Sequence, residues 1–205
     1  MIRREGHLWN RKRVYRIYKL MQLHIKRKKK RRLPARSPAA LIQPMCSNES
    51  WSMDFMSDCL QDGIRFRTLN IIDDFNREAL TIDIDTSIAS GRVIRCLEQL
   101  VNHYGKPRQI RVDNGPEFTS LVLQQWCSNQ DILLEYIQPG KPTQNAFIER
   151  FNGSYRREVL NTYFFTSIEE VRNITEQWLW YYNAERPHEA LNNKTPMEFC
   201  NHIII

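Results

Sequence analysis

Residues 51–56, Trp51-Ser52-Met53-Asp54-Phe55-Met56, set the architecture of this chain. Trp51, Met53 and Phe55 alternate with Ser52, Asp54 and Met56, the two-residue period of a β-strand. Asp54 interrupts a segment that is otherwise apolar and aromatic. A carboxylate there is costly unless it is paired, hydrogen-bonded or bound to metal; an outward-facing Asp on an edge strand is the plainer alternative. Gln61-Asp62-Gly63 is a hairpin turn signal. It predicts a second strand over residues 64–75 and a third over 79–85, with Leu80, Ile82 and Ile84 on one face. The three strands read as an antiparallel meander.

Downstream the period changes. Val93, Leu97, Leu100, Val101 and Tyr104 follow helical spacing, with Ser90 as the expected N-cap and Gly105 and Pro107 as the stop. A short strand over 109–112 delivers Asp113 to its end, where Asn114-Gly115-Pro116 turns the chain. A helix over 120–129, a strand over 132–137, a Pro/Gly loop over 138–143 and a helix over 145–160 follow. The last long helix starts at Thr166 or Ser167, each with Glu three residues on, the capping-box spacing. Its apolar face holds Ile168, Val171, Ile174, Trp178 and Tyr182. Three antiparallel strands, then helix–strand–helix–strand–helix, is the α/β order of the RNase H-like fold, with a mixed five-stranded sheet.

Upstream the chain changes character. Of 30 Lys/Arg and 23 Asp/Glu, residues 1–36 hold fifteen cations and one acid (Glu5), a net +14. The remaining fifteen cations stand against twenty-two acids, a net −7. The basicity therefore belongs to an arm, and a basic arm on an acidic body suits a polyanionic partner. Residues 8–23 read as an amphipathic helix with Val14, Ile17, Tyr18 and Met21 on one stripe. The run Lys26, Arg27, Lys28, Lys29, Lys30, Arg31, Arg32 follows, then a linker bracketed by Pro34 and Pro38. The expected division is a basic helical extension over 1–44 and a core over 45–205. No stretch reaches the ~18 apolar residues of a membrane span, and residues 1–13 lack an apolar signal region. The five cysteines are scattered and odd in number, with no CxxC, which argues against a disulfide framework or a zinc site.

Three acids stand out by placement. Asp54 lies in a strand and Asp113 at a strand end, where α/β folds place reactive groups. Glu149 lies on a helix with Asn145, Asn152 and Arg156 near its face. Each has a bland reading when taken singly: an exposed strand residue, a turn residue and a solvated helix surface. Lys141, Gln144 and Asn145, in the loop before the Glu149 helix, are candidate contacts to such a polyanionic partner, against the simpler reading of a loop shaped by Pro and Gly. Asp73 and Asp74 read as structural. Tyr182, Asn183, Arg186, Pro187 and His188 have no role that spacing derives; a buttress under the site is the preferred reading, with direct chemistry as the alternative.

WSMDFM, IRVDNGPEF and QPGKPTQNAFIERFNGSYRREVL together resemble the signature of DDE transposases and integrases. Asp113 and Glu149 are separated by 35 residues, as in the D-D-35-E spacing of retroviral integrases and bacterial insertion sequences. RFRTLNIIDDFNREAL and YNAERPHEAL resemble, more narrowly, the OrfB transposases of the insertion-sequence-three family. The resemblance runs from about residue 6 to residue 200. It implies an integrase catalytic core in which Asp54, Asp113 and Glu149 bind metal, and Arg156 as a contact to the transposon end. It further implies metal-dependent cleavage and transfer of DNA strands, a homo-oligomer on paired ends, an OrfA-type partner or fusion, and a place in the bacterial cytoplasm with the nucleoid. Hard carboxylate oxygens suit Mg²⁺, with Mn²⁺ as a substitute. Two ions about 3.5–4 Å apart can activate the attacking oxygen and stabilise the leaving one.

Only His7 and His24 precede the core, with no CxxC, so the zinc module of retroviral integrases has no counterpart there. In the OrfB pattern more sequence precedes the part that matches residue 6, which predicts a shortened DNA-binding region. The rival reading is accordingly a truncated, non-catalytic DNA binder that occupies ends or inhibits full-length transposase. The basic run carries its own test. If Lys26–Arg32 neutralise phosphates, the slope of log K against log salt on duplex DNA becomes shallower by about 0.9 for each contact removed. Replacing all seven by Ser should flatten that slope by several units; an unchanged slope would remove the run from the interface.

Overall fold

The computed structural model describes residues 9–23, 43–138 and 145–201. The chain divides into two units, Met1–Pro38 and Ala39–Ile205, six residues ahead of the expected boundary. In the first unit, helix α1 spans Arg11–Leu20, shorter at both ends than the expected helix over 8–23. Asn10 caps it, its side chain accepting from the Lys12 amide at 2.9 Å. No α1 residue is buried, and Ile17, Tyr18 and Met21 of the apolar stripe are exposed. The basic run Lys26–Arg32 and the proline linker lie outside the described residues.

The second unit is built on a five-stranded sheet in the order β3-β2-β1-β4-β5. Strands β1 (Ser50–Cys59), β2 (Arg65–Asp73) and β3 (Ala79–Asp85) form the expected antiparallel meander. Strands β4 (Gln109–Val112) and β5 (Leu133–Tyr136) add to the other side, β1–β4 and β4–β5 both parallel. Each parallel pair needs a crossover helix: α2 (Ser90–Tyr104) leads into β4, and α3 (Leu121–Asn129) leads into β5. β1 is therefore central and borders both halves of the sheet.

The strand period sorts the core into two layers. Trp51 and Met53 of β1 and Leu69 and Ile71 of β2 pack with Val93, Leu97 and Leu100 of α2 and Leu123 of α3. The opposite face, with Phe66, Ile72, Ile82 and Ile84, packs against α4 (Ala146–Tyr155) and α5 (Ile168–Ala184) through Ile148, Phe151, Tyr155, Val171, Trp178 and Tyr182. Asp54 and Asn70 belong to this second face by alternation, which turns them toward α4. A 3-10 turn over Glu189–Leu191 and helix α6 (Pro196–Asn201) end the described chain.

Three expectations need correction, and one choice between two helix starts is resolved. Leu80 does not share a face with Ile82 and Ile84; it packs with the α2/α3 layer. The cause is a register shift in which Ile71 pairs with Thr81 and Ile72 with Ala79, leaving Leu80 as an extra, bulged residue. Ser90 is not the N-cap of α2. Ala89 holds that place, and the Ser90 hydroxyl donates to the Glu117 carbonyl at 2.9 Å. The helix expected over 145–160 is α-helical only to Tyr155 and then widens into a π turn, Arg156–Leu160, that buries both Val159 and Leu160. Of the two candidate starts for α5, Ser167 is the N-cap, while the Glu170 carboxylate accepts from the amide and hydroxyl of Thr166.

Asn183 on α5 closes the edge of the sheet at the bulge. Its Oδ1 accepts from the Ala79 amide and its Nδ2 donates to the Ala79 carbonyl, both at 2.9 Å. The side chain thus stands in for a neighbouring strand at an edge that would otherwise be bare. Asn183→Ala leaves two buried backbone groups without partners and should cost about 2–4 kcal/mol, read as a lower urea midpoint with an unchanged m-value. A loss under ~0.5 kcal/mol would show that water or a rearranged loop replaces both bonds.

Candidate active site

Asp54 sits in the middle of β1, half-buried beneath α4. Its Oδ1 accepts from the Phe55 amide at 2.8 Å. Its Oδ2 accepts from Nδ2 of Asn152 on α4, also at 2.8 Å. Asn152 Oδ1 in turn accepts from Nδ2 of Asn70 at 2.6 Å. Asn70 lies directly across from Asp54 in the β1–β2 register. The chain Asp54–Asn152–Asn70 therefore ties two central strands to α4 through polar groups on a buried face.

Asp113 follows the last residue of β4. The β1–β4 pairing ends at Ser52 and Arg111, and extending the same parallel register by two residues sets Asp113 beside Asp54. Its Oδ1 accepts from the Gly115 amide at 2.9 Å. A Cβ on Gly115 would lie 2.9 Å from that same oxygen, so the close turn requires glycine there. Glu149 is exposed in the first turn of α4, one helical turn before Asn152.

Burial pushes the Asp54 carboxyl up to about 6, and the negative charges of Asp113 and Glu149 add to that rise while the Phe55 and Asn152 hydrogen bonds oppose it. Asp54 thus experiences both other acids, although among the described residues no three His, Cys, Asp or Glu side chains converge tightly enough to cage an ion. The donor set fits a hard divalent cation in its chemistry: three carboxylates, oxygen only, with a repulsion on Asp54 that a cation would relieve.

The remaining sequence candidates fall in different places. Arg156 opens the π turn; its Nη1 donates to Asp58 Oδ2 at 2.6 Å and its Nη2 to the Ser57 carbonyl at 2.8 Å, so it is held against the far end of β1. Asn145 is buried at the start of α4, with its Oδ1 unpartnered, and is not presented as a surface contact. Lys141 and Gln144 lie outside the described residues. Glu117 is not part of the acidic group: it pairs with Arg67, whose guanidinium lies over the Phe55 ring at 4.1 Å. Asp73 accepts from the amides of Asn48 and Phe75, and Asp74 from the hydroxyl of Ser50 and from Arg111, which are structural bonds. Sequence reading passed over Asn70 and Asp58; a lone amide in the apolar run of β2 was the available signal for the first.

The raised Asp54 carboxyl has a consequence for stability. Protonated Asp54 is favoured in the folded state, so the charged form carries a penalty that is absent below the unfolded value of 3.8 and complete above about 6. That penalty is on the order of 3 kcal/mol. In metal-free buffer Asp54→Asn should therefore raise Tm at pH 8, with the gain shrinking to nothing near pH 4. Equal Tm values for the two proteins at both pH values would show that the carboxylate is not strained by burial.

Integrase core domain families match residues 44–142 and 130–196. The chain is 42% identical over 200 residues to an "Insertion element IS407 uncharacterized 31.7 kDa protein" of Burkholderia multivorans, covering 98% of this chain and 72% of the relative. It is 39% identical over 191 residues to an insertion element IS476 protein of Xanthomonas euvesicatoria, covering 93% of this chain but 55% of the relative. It is 27% identical to the transposase for insertion sequence element IS904 of Lactococcus lactis, over 95% of this chain and 81% of that one. Among solved structures, a chain of the simian T-cell lymphotropic virus intasome in complex with PP2A regulatory subunit B56 gamma superposes with a TM-score of 0.69 at 21% identity, over 84% of this chain and 60% of that one. The HTLV-2 integrase catalytic core, solved in complex with magnesium, superposes with a TM-score of 0.61 at 21% identity, over 76% of this chain and 97% of that one. At that identity the solved structures show the shared RNase H-like fold, and the insertion-element relatives show the lineage: the chain belongs to the integrase-core transposase family of insertion elements.

Proposed function

We propose that this chain is a DNA transposase in which Asp54, Asp113 and Glu149 hold divalent metal, Mg²⁺ or Mn²⁺, for cleavage and joining of strands at insertion-sequence ends. The observation that carries the reading is the half-buried Asp54, oriented by Asn152 and raised by burial, to which the charges of Asp113 and Glu149 add. A carboxylate held against burial and two neighbouring negative charges is the kind of perturbed group that clusters at functional sites, and a cation would neutralise it. When bound, the metal pair supplies Lewis acidity to the attacking and leaving oxygens of a phosphodiester.

The protein's own residues hold and orient. The Phe55 amide and Asn152 fix both oxygens of Asp54, and the Gly115 amide fixes one oxygen of Asp113. Glu149 enters from α4, so the site is assembled only when α4 is docked on the sheet. Asp54, Asp113, Glu149, Asn70 and Asn152 include no hydroxyl or thiol nucleophile, which supports direct displacement. Water attacking phosphorus breaks the P–O3′ bond and leaves a 3′-OH and a 5′-phosphate. That 3′-OH then attacks a target phosphodiester, forming one P–O bond as another breaks. Acting on paired ends calls for a homo-oligomer, and the reading carries with it an OrfA-type partner and a place beside the bacterial nucleoid. No helix among the described residues is long and apolar enough to cross a membrane.

The test is joining of a pre-cleaved transposon end to plasmid with Mg²⁺ or Mn²⁺. Asp54→Asn, Asp113→Asn and Glu149→Gln should each reduce joining to background while end binding persists. Asn152→Ala, which only orients Asp54, should lose about 10–100-fold. Joining retained by all three acid variants would refute the triad. Wild-type protein that binds ends and never joins them would instead establish the end-occupying inhibitor.

A further inference from the structure

Around the side of α4 from Glu149, a cavity of about 270 Å³ is lined by Arg77, Phe147, Arg150, Phe151, Tyr182, Arg186 and His188, among others. Two of its nitrogens are buried without a hydrogen-bond partner, Nη1 of Arg77 and Nε2 of His188. Arg77 is only 9% exposed. A buried guanidinium nitrogen without an acceptor is costly, and each such group in a native fold calls for a ligand or a role.

The cations of this cavity differ in their commitments. Arg186 is spent on Glu158, donating to both carboxylate oxygens at 2.7 and 2.8 Å. Arg77 lies over the Phe147 ring at 3.5 Å, which covers the flat face of the guanidinium and leaves its edge of N–H groups as the binding surface. Its backbone is in the left-handed region, φ 63°, inside the tight turn between β2 and β3 that aims the side chain inward. The negative charges of Asp73 and Asp74 act on Arg77, yet no ion pair to it forms among the described residues. Arg150, on α4 next to Glu149 and exposed, has no ion pair among the described residues. The acid on the cavity wall is Glu189.

We propose that this cavity is a phosphate-binding site, in which Arg77 and Arg150 grip the anion and His188 lines its floor. Two uncommitted guanidiniums match the planar, bidentate recognition that phosphate oxygens favour. The volume lies below the ~300–1,000 Å³ of pockets that take drug-sized ligands, so it suits a phosphate group and not a whole nucleotide. The phosphate comes either from a DNA backbone or from solution. The first source rests on the reading of the chain as a DNA-acting enzyme, since a strand crossing α4 at Glu149 would pass this cavity; the second does not.

Inorganic phosphate titrated into the full chain, at ionic strength held constant with chloride, should raise Tm with a saturable midpoint. Arg150→Ala, an exposed substitution that leaves the fold intact, should weaken that midpoint at least tenfold. Arg77→Lys keeps the charge but removes the guanidinium edge and should do the same. Asp54→Asn should leave it unchanged, which separates this site from the acidic one. A metal-free DNA duplex that competes phosphate out identifies the backbone as the source, and a duplex that binds without competing identifies free phosphate; either outcome supports the site. No saturable shift, or a shift indifferent to both arginine variants, overturns it. Because none of these readouts needs strand joining, the site can fail while the transposase reading stands, and the reverse.

Discussion

The structure of the second unit turns on one unfavourable placement, a carboxylate on the inward face of the central strand. Asp54 cannot be left bare beneath α4, and its two hydrogen bonds do not offset its burial. Satisfying it recruits Asn152 from the helix and, through Asn152, Asn70 from the adjacent strand. The three side chains form a polar seam across an otherwise apolar layer of Phe66, Ile148, Phe151 and Ile82. Position along α4 is thereby fixed by hydrogen bonds as well as by packing. An apolar contact tolerates small slips of a helix, whereas an amide seated between two partners at 2.6 and 2.8 Å does not. The same seam that relieves Asp54 therefore sets where Glu149 stands, one turn earlier on the helix.

That dependence extends outward. α4 is held on its other side by α5, where Trp178 and Tyr182 pack on Phe151 with ring centroids 5.6 and 5.0 Å away, and the Tyr155 hydroxyl meets Thr175 at 2.7 Å. α5 is anchored to the sheet by Asn183 at the Ala79 bulge, and its Trp178 indole shares Glu158 with Arg186. Tyr182, Asn183 and Arg186 thus act on α4 from behind, which gives the buttress expected from sequence a physical content. The π turn belongs to the same arrangement: widening the helix after Tyr155 lets Val159 and Leu160 both reach the core while Arg156 turns back to Asp58.

Much of this was legible in the sequence because the period-two and period-3.6 patterns are strong and their order is distinctive. The central position of WSMDFM, the strand end at Asp113 and the helix carrying Glu149 all follow from local pattern. What escaped detection depends on partners distant in the chain. Leu80 was assigned to the wrong face because a bulge is a property of two strands in register, and no pattern within residues 79–85 announces it. Ser90 resembled a cap by residue type, but its hydroxyl has the Glu117 carbonyl, 27 residues away, as a competing acceptor. Asn70 and Asp58 gain their meaning only from Asn152 and Arg156, each more than 80 residues downstream. Asn145 stands beside a loop in the sequence, and its burial at the start of α4 depends on tertiary neighbours that spacing does not encode.

The charge division first seen between the N-terminal arm and the body recurs within the body on a smaller scale. α4 carries one acid, Glu149, one amide, Asn152, directed to Asp54, and a guanidinium, Arg150, immediately beside Glu149. A cluster of carboxylates repels a polyanion unless cations intervene, whether as bound metal or as neighbouring side chains. Arg150 and Arg77 lie around the helix from the acids, and Arg156 lies a further turn along, tied down by Asp58. On the proposed reading, a phosphate backbone approaching α4 would meet the exposed Arg150 first, since Arg77 is buried and Arg156 is already paired. The consequence on that reading is directional: the acids alone would exclude DNA and the neighbouring arginines alone would hold it without chemistry, so affinity and reactivity would be set by different residues.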